Sequence, residues 1–131
     1  MVARRLMRHS PRILLVEDES AIREVLARVL HRLGYHTLVA ANGREAIELV
    51  EKEGGDVDLL ISDLVMPGQN GADVAKELQT RVPSLGVLFM SGSLDHPVLK
   101  RVLASGHRFL PKPFSMTEFR SVVSQALAEA A

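Results

Sequence analysis

A chain of 131 residues, 47% of them hydrophobic, has the length and the apolar content for one domain with a full core. Sixteen basic residues balance sixteen acidic ones, but Arg4, Arg5, Arg8 and Arg12 put +4 on the first dozen residues and leave −4 on the rest, which argues against direct nucleic-acid binding. The lack of cysteine excludes disulfides, thiolate metal sites and thiol catalysis and fits a cytoplasmic setting, and no apolar segment is long enough for membrane insertion or for a secretion signal. Residues 1–11 read as a flexible basic arm and residues 12–131 as the folded domain.

In chain order, Ile13-Leu14-Leu15-Val16 is a short apolar strand running into Glu17-Asp18. Ala21, Ile22, Val25, Leu26, Val29, Leu30 and Leu33 recur at intervals of three and four, predicting a helix with that buried stripe, closed by Gly34. Tyr35 to Ala40 gives a second strand, and Asn42 with Glu45 a capping box for a helix that buries Ala46, Ile47 and Val50. Val57 to Asp63 is the third strand, followed by a Pro- and Gly-bearing loop, Met66 to Gly71. A third helix runs from Ala72 to Arg81 and stops before Pro83.

Gly86 to Met90 is a fourth strand, leading into Ser91-Gly92. His96-Pro97 to Ala104 makes a fourth helix, and Arg108 to Leu110 a fifth strand that ends at Pro111-Lys112-Pro113-Phe114. Ser115 and Glu118 form a capping box for a fifth helix carrying Phe119, Val122, Val123, Ala126 and Leu127 inward. Strict alternation of short apolar strands with amphipathic helices predicts an α/β fold, a three-layer α/β/α sandwich around a parallel sheet.

The carboxyl ends of parallel strands share one edge, where such sheets bind ligands. Glu17, Asp18 and Asp63 would meet there if the first and third strands are neighbours, and carboxylates brought together need a cation or a proton. Hard oxygen ligands suit Mg²⁺. Taken singly, Asp18 reads as a helix cap, Ser91-Gly92 as a turn, Phe109 as core and Lys112 as a surface lysine. Taken together, an aspartate nucleophile, a metal pocket, an ammonium and a hydroxyl are the set that phosphoryl transfer to a carboxylate requires. The histidines at 9, 31, 36, 96 and 107 share no metal-ligand spacing, and the methionines suggest no cofactor.

At this point the sequence resembles the response-regulator receiver family (CheY-like) of two-component signalling. The resemblance rests on Leu15-Val16-Glu17-Asp18-Glu19, on Asp63-Leu64-Val65-Met66-Pro67-Gly68-Gln69-Asn70-Gly71, on Met90-Ser91-Gly92 and on Lys112-Pro113-Phe114, and it covers about residues 12 to 128. It implies a doubly wound (βα)5 sheet in the order 2-1-3-4-5, with Asp63 as phosphoacceptor. It further implies Asp18, Asp63, the Val65 carbonyl and, through water, Glu17 as the Mg²⁺ site. Ser91 would be the switch hydroxyl, Phe109 the switch aromatic and Lys112 the phosphate-binding ammonium, with a cis bond before Pro113.

By the same resemblance the chain is not an ordinary enzyme. It would take a phosphoryl group from a sensor histidine kinase or a histidine phosphotransfer protein and signal to a downstream protein through its fourth helix, fifth strand and fifth helix. Receivers of hybrid histidine kinases carry similar segments, as do free phosphorelay regulators. A haloacid-dehalogenase-like phosphatase needs an acid two residues after its nucleophile, where Val65 stands, and a flavodoxin-like phosphate loop would be repelled by Glu17-Asp18-Glu19. The remaining rival is a protein-interaction module on the same fold that works without phosphorylation.

Overall fold

The computed structural model describes residues 10–130. Most of the expected basic arm, with Arg4, Arg5 and Arg8, therefore lies outside the described residues. Arg12 belongs to the fold: it opens β1 (Arg12–Val16) and its guanidinium pairs with Glu53 at 2.9 Å and Asp56 at 3.5 Å. Then follow α1 (Ser20–Arg32), β2 (His36–Ala40), α2 (Gly43–Lys52), β3 (Leu59–Asp63), the two-residue strands β4 (Val65–Met66) and β5 (Gln69–Asn70), α3 (Gly71–Arg81), β6 (Gly86–Ser91), α4 (Pro97–Ala104), β7 (Arg108–Pro111) and α5 (Met116–Ala130).

Five strands form one parallel sheet in the order β2-β1-β3-β6-β7, which is the 2-1-3-4-5 order of the sequence reading. A parallel sheet covered on both faces needs apolar residues at consecutive positions. Hence Ile13, Leu14, Leu15 and Val16 are all buried, as are Leu59, Leu60 and Ile61. Leu14, Val16 and Leu60 pack with Ala46, Val50, Val74, Leu78 and Val102 of α2, α3 and α4. Ile13, Leu15 and Ile61 pack with Leu26 and Leu30 of α1 and Phe119 and Val123 of α5.

Sequence and structure part in three places. Ala21 and Val25, both in the expected stripe of α1, are exposed, Val25 at 49%, because the stripe is wider than the face that meets the sheet. The segment read as a plain loop is a tight hairpin: β4 and β5 pair antiparallel around Pro67-Gly68, with Gly68 at φ +72°. Asn42 caps α2 through Glu45 N–H at 2.9 Å, but the Glu45 carboxylate reaches back to the N–H of Ala41 rather than to that of Asn42. The second capping box closes reciprocally, each of Ser115 and Glu118 accepting from the other's N–H at 3.0 Å.

Candidate functional site

The register sets the site. Val16 lies opposite Ser62, Asp63 opposite Met90 and Ser91 opposite Pro111, so Glu17, Asp63, Ser91 and Lys112 all emerge at one edge of the sheet. Backbone bonds extend the ladder past the strands: Leu64 N–H donates to Met90 O at 2.8 Å, and Lys112 N–H to Ser91 O at 2.9 Å. The Lys112–Pro113 bond is cis, as the resemblance implied. Gly71 lets α3 start against this edge, since a Cβ there would sit 2.1 Å from the Asp63 carbonyl oxygen.

Two buried carboxylates and one ammonium form the centre. Lys112 Nζ lies 2.7 Å from Asp63 Oδ1 and 2.9 Å from Glu17 Oε1, while Glu17 and Asp63 are 0% and 4% exposed. Burial first, and then the hydrogen bond with Glu17, push the Asp63 carboxyl up to about 8 against the pull of Lys112. Burial works on Glu17 in the same sense, but hydrogen bonds with Asp63 and Lys112 outweigh it and leave this carboxyl below its usual range. Lys112 is disfavoured by burial too, yet its bonds to the two acids hold its pKa above the ordinary lysine value. One cation facing two buried carboxylates opposes full ionisation of the pair, and Asp63 is the member pushed up.

Asp18 is exposed and joins the cluster from the mouth: single ligand atoms of Glu17, Asp18 and Asp63 lie within 4.8 Å of one another. Among the described residues, Asp63 Oδ2 is the one buried side-chain polar atom without a hydrogen-bond partner. An orphaned carboxylate oxygen beside two further acids is a donor set a hard divalent cation fits, and Mg²⁺ accepts such oxygen ligands. The cluster can hold a divalent metal. Val65, two residues beyond Asp63, sits on β4 and is 39% exposed.

The other expected residues are nearby but engaged elsewhere. The Ser91 hydroxyl donates to Ser93 O at 3.3 Å and accepts from Ser93 N–H at 3.0 Å. Phe109 lies on β7 beside Phe89 of β6, half-buried, and packs on the α2–α3–α4 side of the sheet. Sequence reasoning missed three supports. Arg23 Nη1 donates to Glu17 O at 2.7 Å and pins the β1–α1 turn. Gln69 Oε1 accepts from Gly43 N–H at 2.6 Å and ties the hairpin to the start of α2. Asn70 caps α3 through the N–H groups of Ala72 and Asp73, and Asn directly before Gly71 and an apolar-periodic stretch is a signal that could have revealed it.

A doubly wound parallel sheet that gathers an aspartate, two further acids and a lysine at one edge defines an α/β protein with an acidic site fit for a cation. Comparison with known proteins places the chain more narrowly. The response regulator receiver domain family matches residues 13–124, and the chain belongs to that family. Over 119 residues it is 39% identical to the sensor kinase CckA of Brucella abortus (strain 2308), covering 90% of this chain and 13% of that protein. Over 118 residues it is 35% identical to the sporulation initiation phosphotransferase F of Bacillus subtilis (strain 168), covering 88% of this chain and 93% of that one.

Among solved structures, the receiver domain of the hybrid histidine kinase CckA superposes with a TM-score of 0.75 at 40% identity, covering 88% of this chain and 98% of that one. The chain spans well under a quarter of the length of the kinase it resembles. Receiver domains accept phosphoryl groups and are not enzymes in the ordinary sense, which fits the response-regulator assignment. No helix among the described residues is long and apolar enough to cross a membrane.

Proposed function

We propose that this receiver, residues 12–131, takes a phosphoryl group from phosphohistidine onto Asp63 in a two-component or phosphorelay system. The observation that supports it best is Lys112 Nζ at 2.7 Å from Asp63 Oδ1, with Oδ2 buried and unpartnered. In the transfer, an Asp63 carboxylate oxygen forms a bond to phosphorus. The phosphorus–nitrogen bond of the donor breaks, and its electron pair returns to the imidazole. Lys112 releases Glu17 and Asp63 to meet the new phosphoryl oxygens, and Ser91 exchanges its Ser93 partner for one of them.

Asp18, Asp63 and the Val65 carbonyl, with Glu17 through water, would hold Mg²⁺. Bound there, the ion would supply positive charge that favours the ionised form of Asp63 and offsets charge on the phosphoryl group. Movement of the Ser91 loop makes room for Phe109 to turn inward beside Phe89. The surface formed by α4, β7 and α5 then changes for a downstream protein. Leu94 and Leu103, 60% and 56% exposed, leave apolar area on and just before α4 for such a partner. The donor is a sensor histidine kinase or a histidine phosphotransfer protein, in the cytoplasm, with this chain either the receiver of a hybrid kinase or a free regulator.

Intact mass after incubation with acetyl phosphate tests the reading. A single phosphoryl adduct is expected that requires Mg²⁺ and is absent from Asp63→Asn. An adduct that persists in Asp63→Asn removes Asp63 from the role. No adduct, with Mg²⁺ binding shown separately, favours an interaction module that works without phosphorylation.

A further inference from the structure

A second recess lies away from the acidic edge, between α1 and the edge strand β2. It is about 700 Å³ in volume, with Arg28, His31 and Arg32 on the helix side and Thr37 and Val39 on the strand side, and no aspartate or glutamate lines it. Neither arginine makes an ion pair within 4 Å among the described residues, although α1 carries Glu24 one turn before Arg28. The charge around the recess is therefore of one sign and unspent. Ser10 also lines it.

Beyond charge, the recess offers an open backbone. In a parallel ladder alternate residues of a strand turn both backbone groups to the same neighbour. His36 N–H donates to Pro11 O and Ala40 O accepts from Glu17 N–H, so His36, Leu38 and Ala40 face β1. Thr37 and Val39 consequently point their N–H and C=O groups away from the sheet, along an edge that carries no further strand among the described residues. Val39 is 45% exposed although it stands in a strand. An edge with unpaired backbone, an exposed valine and a cationic rim is complementary to an extended segment that alternates apolar and acidic side chains.

We propose that the α1–β2 recess docks an acidic, extended peptide segment of a partner protein, which adds to β2 as a sixth strand. Its backbone pairs with Thr37 and Val39, an apolar side chain covers Val39, and its carboxylates meet Arg28 and Arg32 as charge-assisted hydrogen bonds. Nucleic acid is the poorer occupant. A phosphodiester chain cannot complete the β ladder, and the described residues carry more acidic than basic side chains, which repel a polyanion beyond the recess.

The probe is a fluorescein-labelled Val-Glu-Val-Glu-Val-Glu peptide titrated into the full chain, followed by anisotropy and by amide NMR shifts. Binding is expected with the largest shifts, and slowed hydrogen exchange, at the Thr37 and Val39 amides. The Arg28→Glu, Arg32→Glu double variant is expected to bind at least about tenfold more weakly, the equivalent of one lost charge-assisted bond. Val39→Pro removes an outward N–H without touching the bonds to β1, and is expected to weaken binding while circular dichroism stays unchanged. Both variants are expected to leave the Mg²⁺-dependent adduct at Asp63 intact.

A lysine peptide, Val-Lys-Val-Lys-Val-Lys, that binds as tightly overturns the proposal, as does unchanged affinity in the double variant. Tighter binding at these amides by oligothymidylate or by phosphatidylglycerol vesicles overturns it in favour of nucleic acid or membrane.

Discussion

At the scale of single residues, the unusual feature is a carboxyl whose ionisation is opposed in the place where it would have to react. Asp63 is raised from 3.8 to about 8 by burial and by Glu17. A carboxyl whose folded pKa is lifted binds its proton more tightly in the folded state, so its contribution to stability is greatest below pH 4 and is lost as pH rises toward 8. Asp63→Asn removes the titration while keeping the shape. Without Mg²⁺ the variant is expected to be more stable than the parent at pH 7.5, by at least about 1 kcal/mol, roughly the free energy of one pKa unit. The advantage stays below the full cost of the raised pKa because Glu17 and Lys112 shift in the compensating direction. Urea unfolding from pH 4 to pH 8 measures it: the gain should shrink to nothing at the acid end. A constant difference across that range contradicts the upward shift of the Asp63 carboxyl.

At the scale of elements, the close approach of α3 to the end of β3 is what holds Asp63 in register. Gly71 permits it, because a Cβ there would lie 2.1 Å from Asp63 O and 3.1 Å from Leu64 Cα, both backbone atoms that cannot swing aside. Gly71→Ala is expected to cost about 1–3 kcal/mol, the usual range for forced overpacking, and to weaken Mg²⁺ binding by displacing the Asp63 backbone. Gly92→Ala is the control, since its Cβ would meet only Lys112 Cβ at an ordinary 3.8 Å, and it should change stability by less than about 0.5 kcal/mol. Thermal denaturation of the pair separates the two expectations, and equal losses would remove the steric account.

The strands were legible as short continuous apolar runs such as Ile13–Val16, and the helices by the three- and four-residue spacing of stripes such as Phe119 and Val123. The acidic residues and Lys112 were legible because they interrupt apolar runs at strand ends. What stayed hidden depends on tertiary approach: Val25 looks buried by spacing alone, Gln69 looks like any loop residue, and nothing local pairs it with Gly43 N–H 26 residues away.

At the scale of the whole molecule, the acidic edge joins parts of the chain far apart in sequence: Lys112 meets Glu17 across 95 residues. A cation held there bridges the ends of β1 and β3 only when the sheet is assembled, so it binds the folded state and not the unfolded one. Its effect is then global, a stabilisation that grows with the logarithm of Mg²⁺ concentration once the site is saturated, reaching about 2.7 kcal/mol at a hundredfold excess over Kd and read as a rise in melting temperature.

Asp18 isolates the cation from the fold. It is exposed and takes no part in either core, so Asp18→Ala should alter stability without Mg²⁺ by no more than about 0.5 kcal/mol. The same variant should lose most of the Mg²⁺-dependent rise, because Glu17 and Asp63 are left to share Lys112 with no third carboxylate at the mouth. Scanning calorimetry of both proteins from 0 to 20 mM MgCl₂, at constant ionic strength, decides it. Parallel curves would take Asp18 out of the metal site, while a lower starting temperature with an unchanged rise would make it a structural residue.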